Sequence, residues 1–142
     1  MKKLTELQPL IQNWAKDKNL NDPEKQRLKL LSEVGELADA ILKNDVHGIK
    51  DGIGDTFVVL IILANQTGTK IKLDDFKPSK IVNVFDALLI DILNRQSLRM
   101  SVDFLNDIAI HLGYGLTECA NIAWNEIKDR TGVTVGGTFI KD

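Results

Sequence analysis

The sequence predicts an all-α fold, a compact bundle of five or six helices, and three observations predict it. Apolar residues recur at three- and four-residue spacings through most of the 142 residues. Helix start and stop signals separate the periodic segments. No repeat, linker or low-complexity stretch divides them, so one domain over residues 1–142 is expected, long enough to bury roughly two-thirds of the surface the unfolded chain exposes.

The first helix is expected over Leu4 to Ala15, where Leu4, Leu7, Leu10, Ile11 and Trp14 share a face. Asn21-Asp22-Pro23-Glu24 opens the second, because Asp22 can cap free amides and Pro23 suits a first helical turn. Its stripe is Leu30, Leu31, Val34, Leu37, Ala38 and Ile41, and it should end near Lys43, before Asn44-Asp45. A third helix is expected from about Val46 to Gln66, with Val46, Ile49, Ile53, Phe57, Leu60 and Ala64 in one line. From Phe57 onward every side is apolar, as in a helix buried all round. The same run, Phe57 to Ala64, has high β propensity, so a buried strand is the alternative.

Lys77-Pro78-Ser79 introduces a further periodic segment, Ile81 to Leu93, carrying Val84, Phe85, Leu88, Leu89 and Ile92. Another helix is expected from Ser101 to Leu112. Thr117 is the expected cap of a last helix, Glu118 to Arg130, with Ala120, Ala123, Trp124 and Ile127 facing inward. In the tail, Gly136-Gly137 lies between two short β-prone runs and suggests a small hairpin or an arm.

Composition narrows the function. Apolar residues make up 44% and charged residues 27%, ordinary for a globular chain. Eighteen basic and twenty acidic residues leave a net charge of −2, with no basic excess to grip nucleic acid, and no such partner is expected. One cysteine excludes an intramolecular disulfide and, with only two histidines, a Cys/His zinc site. Glu6 and Pro9 interrupt any signal-peptide core, and the run from Phe57 to Ala64 is far too short to span a bilayer. A cytoplasmic protein with no membrane partner is expected.

The informative chemistry lies between Lys29 and Asp55. Three acidic pairs occur at a spacing of three (33/36, 36/39 and 126/129), about the number that chance supplies, so counting decides nothing. Placement decides more. Glu33 falls at the edge of the second helix's apolar arc, with Glu36 further round and Lys29 between them. Asp51 and Asp55 are one turn apart, and the same line continues into Val58 and Ile62. Two helices joined by a short break pack antiparallel, which brings the two pairs together. Four carboxylates beside a core repel one another unless cations lie between them, and oxygen-only ligands suit Mg²⁺ or Mn²⁺. Such a site suits a phosphorylated substrate. The alternative is a solvated edge, with Glu33 paired to Lys29 and Asp51 answering the helix dipole.

Glu33-Val34-Gly35-Glu36-Leu37-Ala38-Asp39, followed by Asp51-Gly52-Ile53-Gly54-Asp55 and an apolar run, resembles the MazG-like all-α nucleoside triphosphate pyrophosphohydrolases, most closely their short phage-encoded single-domain members. Asn125-Glu126-Ile127-Lys128-Asp129-Arg130 and the segment Gly137 to Lys141 also resemble the end of such proteins, so the likeness covers about residues 25 to 142. It implies a homodimer or homotetramer that binds Mg²⁺ through an E-x-x-E and a later E-x-x-D. It also implies cleavage of a nucleoside triphosphate to a monophosphate and pyrophosphate. By position, Glu33 and Glu36 match the first pair, as ligands and candidate bases, and Asp55 matches the last Asp. The family's second Glu falls at Gly52, and Asp51 is the nearest acid. Lys29, Lys128 and Arg130 are candidate phosphate contacts, and Asn125 matches a nucleotide-contacting position.

Other residues are read as structural. Cys119 sits among Ala120, Ala123 and Trp124 as a small buried residue, and His47 and His111 have no catalytic context. Trp14 and Trp124 are expected in core or interface. No Walker-type Lys-Ser follows Gly52 and Gly54. The competing function is a non-catalytic helical oligomerisation module with the Phe57–Ala64 run as its seam.

Overall fold

The computed structural model of the chain describes residues 1–76, 81, 83–94 and 97–142. Among these it has six helices and one two-stranded hairpin, the all-α architecture expected. Helix α1 spans Leu4–Asp17, α2 Pro23–Leu42 and α3 Val46–Gln66; α4 covers Val84–Asp86 and continues as π-helix over Ala87–Leu93; α5 spans Ser101–Leu112 and α6 Leu116–Ile127. Strands β1, Gly132–Val135, and β2, Thr138–Lys141, close the chain. The expected opening at Lys77-Pro78-Ser79 lies outside the described residues.

Helix α3 is the axis, and α1, α2, α5 and α6 all pack on it. From Thr56 to Ala64 every residue is buried, so the apolar run is a helix enclosed on all sides rather than a strand. That run is therefore already occupied within the protomer and offers no oligomer seam. Two glycines let neighbours approach closely. A Cβ on Gly52 would lie 2.9 Å from the Leu37 Cβ of α2, and one on Gly54 would meet the Cys119 carbonyl of α6.

The turn between α2 and α3 explains their antiparallel packing. Asn44 adopts a left-handed φ of 52° and closes a Schellman turn, in which the Asn44 amide donates to Ile41 O and the Asp45 amide to Ala40 O. Asp45 then caps α3 by accepting from the Gly48 amide at 3.1 Å. As a result Gly48 meets Ala40, Gly52 meets Leu37, and Val59 meets Gln26.

Several details differ from the sequence expectation. Leu31 and Val46 are exposed rather than inward. Phe85, in the α-helical turn, and Leu89 also point outward; over Ala87–Leu93 the i→i+5 winding turns fewer degrees per residue and swings Leu89 away from the buried Leu88 and Ile92. Thr117 is not a cap: α6 starts at Leu116 after Gly115, two residues earlier than expected, and Thr117 O accepts from the Asn121 side chain. Helix α6 ends at Ile127, short of Arg130.

The hairpin is held against the bundle. Gly136 and Gly137, with φ of 57° and 82°, form the tight turn that joins antiparallel strands. Phe139 meets Trp14 edge to face at 5.4 Å. Lys18 donates to Arg130 O at 2.9 Å, and Thr134 Oγ1 donates to Lys18 O.

Candidate active site

Antiparallel pairing of α2 and α3 places Glu33 and Glu36 beside Asp55. One carboxylate oxygen from each lies within 4.8 Å of the others. Asp22 fixes the start of α2 by accepting from the Glu24 and Lys25 amides, and with it the rotation that turns Glu33 inward. Glu33 is buried, Glu36 exposed and Asp55 between the two. Glu33 Oε1 pairs with the Lys29 ammonium at 3.0 Å, while its Oε2 is buried without a hydrogen-bond partner among the described residues. The solvated pairing weighed from sequence thus covers only half of the Glu33 carboxylate.

Crowding of like charge shows in the proton affinities. Burial pushes the Asp55 carboxyl up to about 7; Glu33, Glu126 and Asp51 add to the rise, and Arg130 opposes it. Glu36 is also raised, first by loss of solvent and then by the Glu33 carboxylate.

The structure gathers three of the four expected carboxylates. Asp51 stands one turn before Asp55, half-exposed and outside the tight group, yet near enough to raise Asp55. At Gly52, where the resemblance placed a second Glu, Leu37 fills the space where a side chain would begin.

The three carboxylates line one end of a cavity of about 340 Å³, within the size range of small-molecule sites. Lys29 and Arg130 also line it, whereas Asn125 and Lys128 do not. The sequence reading missed several lining residues. Lys25 and Gln26 precede Glu33 by two turns on one face of α2, a spacing visible in the sequence. Lys141 and Phe139 come from the hairpin, and no local pattern brings them here. Glu126 of α6 bears on Asp55 only because α6 packs on α3.

Neither alternative nucleophile is equipped for that role. Burial pushes the Cys119 thiol up to about 11, as expected of a buried structural cysteine, and both histidines are exposed. Among the described residues no helix is long and apolar enough to cross a membrane.

Comparison with known proteins gives a partial match. An uncharacterised 18.2 kDa protein from the rep-hol intergenic region of Haemophilus phage HP1 is 49% identical over 69 residues, covering 44% of this chain and 42% of that protein. The chain thus spans about two-fifths of its relative's length. No solved structure matches it. Residues 21–79 match the MazG nucleotide pyrophosphohydrolase domain. That segment, about two-fifths of the chain, holds α2, α3 and every carboxylate of the tight cluster, and it is there that the chain is similar to the MazG family.

Proposed function

We propose that the protein is a Mg²⁺-dependent nucleoside triphosphate pyrophosphohydrolase, cleaving the α–β phosphate bond of an NTP or dNTP. The observation that carries this reading is the convergence of Glu33, Glu36 and Asp55 at one end of a cavity also lined by Lys29 and Arg130. The donors fit a hard divalent cation: all are oxygens, and the buried Glu33 Oε2 lacks a partner among the described residues. Glu33, Glu36 and Asp55 would hold Mg²⁺ or Mn²⁺, with Asp51 as a further carboxylate nearby. Such an ion, when bound, neutralises triphosphate charge and acidifies water.

The chain's own residues do the rest. Lys29 and Arg130 hold phosphate oxygens, and Glu33 or Glu36 orients the attacking water and takes its proton on a carboxylate oxygen. The water oxygen bonds to phosphorus in line as the bond to the α–β bridging oxygen breaks. One water is consumed, and a nucleoside monophosphate and pyrophosphate leave. Apolar side chains that the protomer leaves exposed, among them Leu28, Leu31 and Leu42 of α2, support assembly as a homodimer or homotetramer.

A panel of NTPs and dNTPs incubated with Mg²⁺ tests the reading through pyrophosphate release. Magnesium should also raise the melting temperature, and Asp55→Ala should abolish that rise. No hydrolysis of any nucleotide, together with no response to Mg²⁺, would leave a non-catalytic interaction module as the better account, with the exposed leucines of α2 rather than the Phe57–Ala64 run as its seam.

A further inference from the structure

The cavity changes character along its length. Beyond the carboxylates it is walled by Val59 and Ile62 of α3, Trp14 of α1 and Phe139 of the hairpin. A buried polar side chain from α2, Gln26, faces these apolar groups. It is only 6% exposed, and its amide donates to Val59 O at 3.5 Å, the limit of a hydrogen bond. Buried amides normally make shorter bonds, and Gln26 lines the cavity. Its second N–H and its oxygen make no hydrogen bond among the described residues, so a donor and an acceptor are available to a ligand. The Trp14 indole N–H, at the same end, is buried without a hydrogen-bond partner among the described residues.

Resting on the proposed triphosphate chemistry, we propose that this apolar end is a nucleobase subsite in which Trp14 and Phe139 form the aromatic wall and Gln26 reads the base edge. The spacing suits that assignment. Gln26 precedes Glu33 by seven residues, and a helix rising about 1.5 Å per residue separates them by about 10 Å along α2. That interval leaves room for a sugar and first phosphate between a base at Gln26 and the carboxylates. Aromatic faces bind any base by stacking and so supply affinity with little selectivity. Selectivity falls to the buried amide, since a base that leaves Gln26 unpaired costs the complex a hydrogen bond at a desolvated site. The hairpin becomes part of the site, because without β2 the subsite lacks one wall.

Trp14 provides its own readout. In a Trp124→Phe background it is the only tryptophan, and its fluorescence can be titrated with α,β-methylene nucleotides and with inorganic tripolyphosphate, each with Mg²⁺. Nucleotides should quench Trp14, whereas tripolyphosphate should compete with them without quenching. Gln26→Leu should weaken binding of the preferred nucleotide about tenfold or more and level the differences between bases, leaving tripolyphosphate affinity unchanged. Equal affinity for nucleotide and tripolyphosphate, or an equal loss of both in Gln26→Leu, overturns the subsite while the triphosphate reading stands. Binding of neither probe overturns both. Should Gln26→Leu fail to fold, Phe139→Leu on the hairpin carries the test: it should raise KM for nucleotides severalfold with kcat little changed, and an unchanged KM counts against the subsite.

Discussion

Asp55 concentrates the electrostatic cost of the site in one group. Its carboxyl has an ordinary value of 3.8 and is pushed up to about 7 in the folded protein. Between those values the folded state holds a proton that the unfolded state has released, so raising the pH across that window destabilises the metal-free protein. The ceiling on this loss is about 4 kcal/mol, each tenfold change in proton affinity being worth about 1.4 kcal/mol. Melting of the metal-free protein should fall between pH 4 and 7 and level off above, and Asp55→Asn should remove most of that slope. Because a cation competes with the same proton, stabilisation by Mg²⁺ should grow over the same window. The basic residues divide by where the chain carries them. Arg130→Ala should raise KM about tenfold in a pyrophosphate-release assay, and Lys128→Ala should leave it near wild type, because only Arg130 lines the cavity. Spacing along the chain does not separate these two residues, since both close the last helical segment.

At the level of the element, α2 and α3 were readable because their signals are local. Asp22-Pro23 starts one helix, Asn44-Asp45 ends it and caps the next, and both boundaries fall within a residue of expectation. The Thr117 cap failed for an equally local reason. Thr117 has the right chemistry, but the chain turns into α6 at Gly115, which needs no side chain to do so. Gly52 and Gly54 of α3 serve as contact points between helices, a role that only the packing reveals. Gly54→Ala should destabilise the protein by about 3 kcal/mol in urea denaturation, because the new methyl meets a backbone carbonyl that cannot rotate away. Gly52→Glu, which installs the acid that the resemblance implied there, should likewise lose stability and gain no activity, since Leu37 occupies the space.

Across the whole molecule, the cavity draws on α1, α2, α3, the segment after α6 and the hairpin, so its two ends report on different parts of the chain. Exposed leucines on α2 extend this to assembly. Leu31→Lys should shift the proposed oligomer toward monomer in sedimentation analysis, without altering the fold, because Leu31 touches solvent in the protomer. The amino-acid sequence by itself determined the helical class, the central buried helix and the candidacy of Glu33, Glu36 and Asp55. The helices follow from periodicity and capping within some twenty residues, and the preference for those three carboxylates over Asp51 follows from the resemblance. Tertiary structure alone decided that Asp51 stands aside, that Glu126 bears on Asp55, and that Trp14, Gln26 and Phe139 share a cavity. Those residues are separated by up to 125 positions, and what brings them together is burial of apolar surface between elements, a non-directional force that leaves no local pattern in the chain.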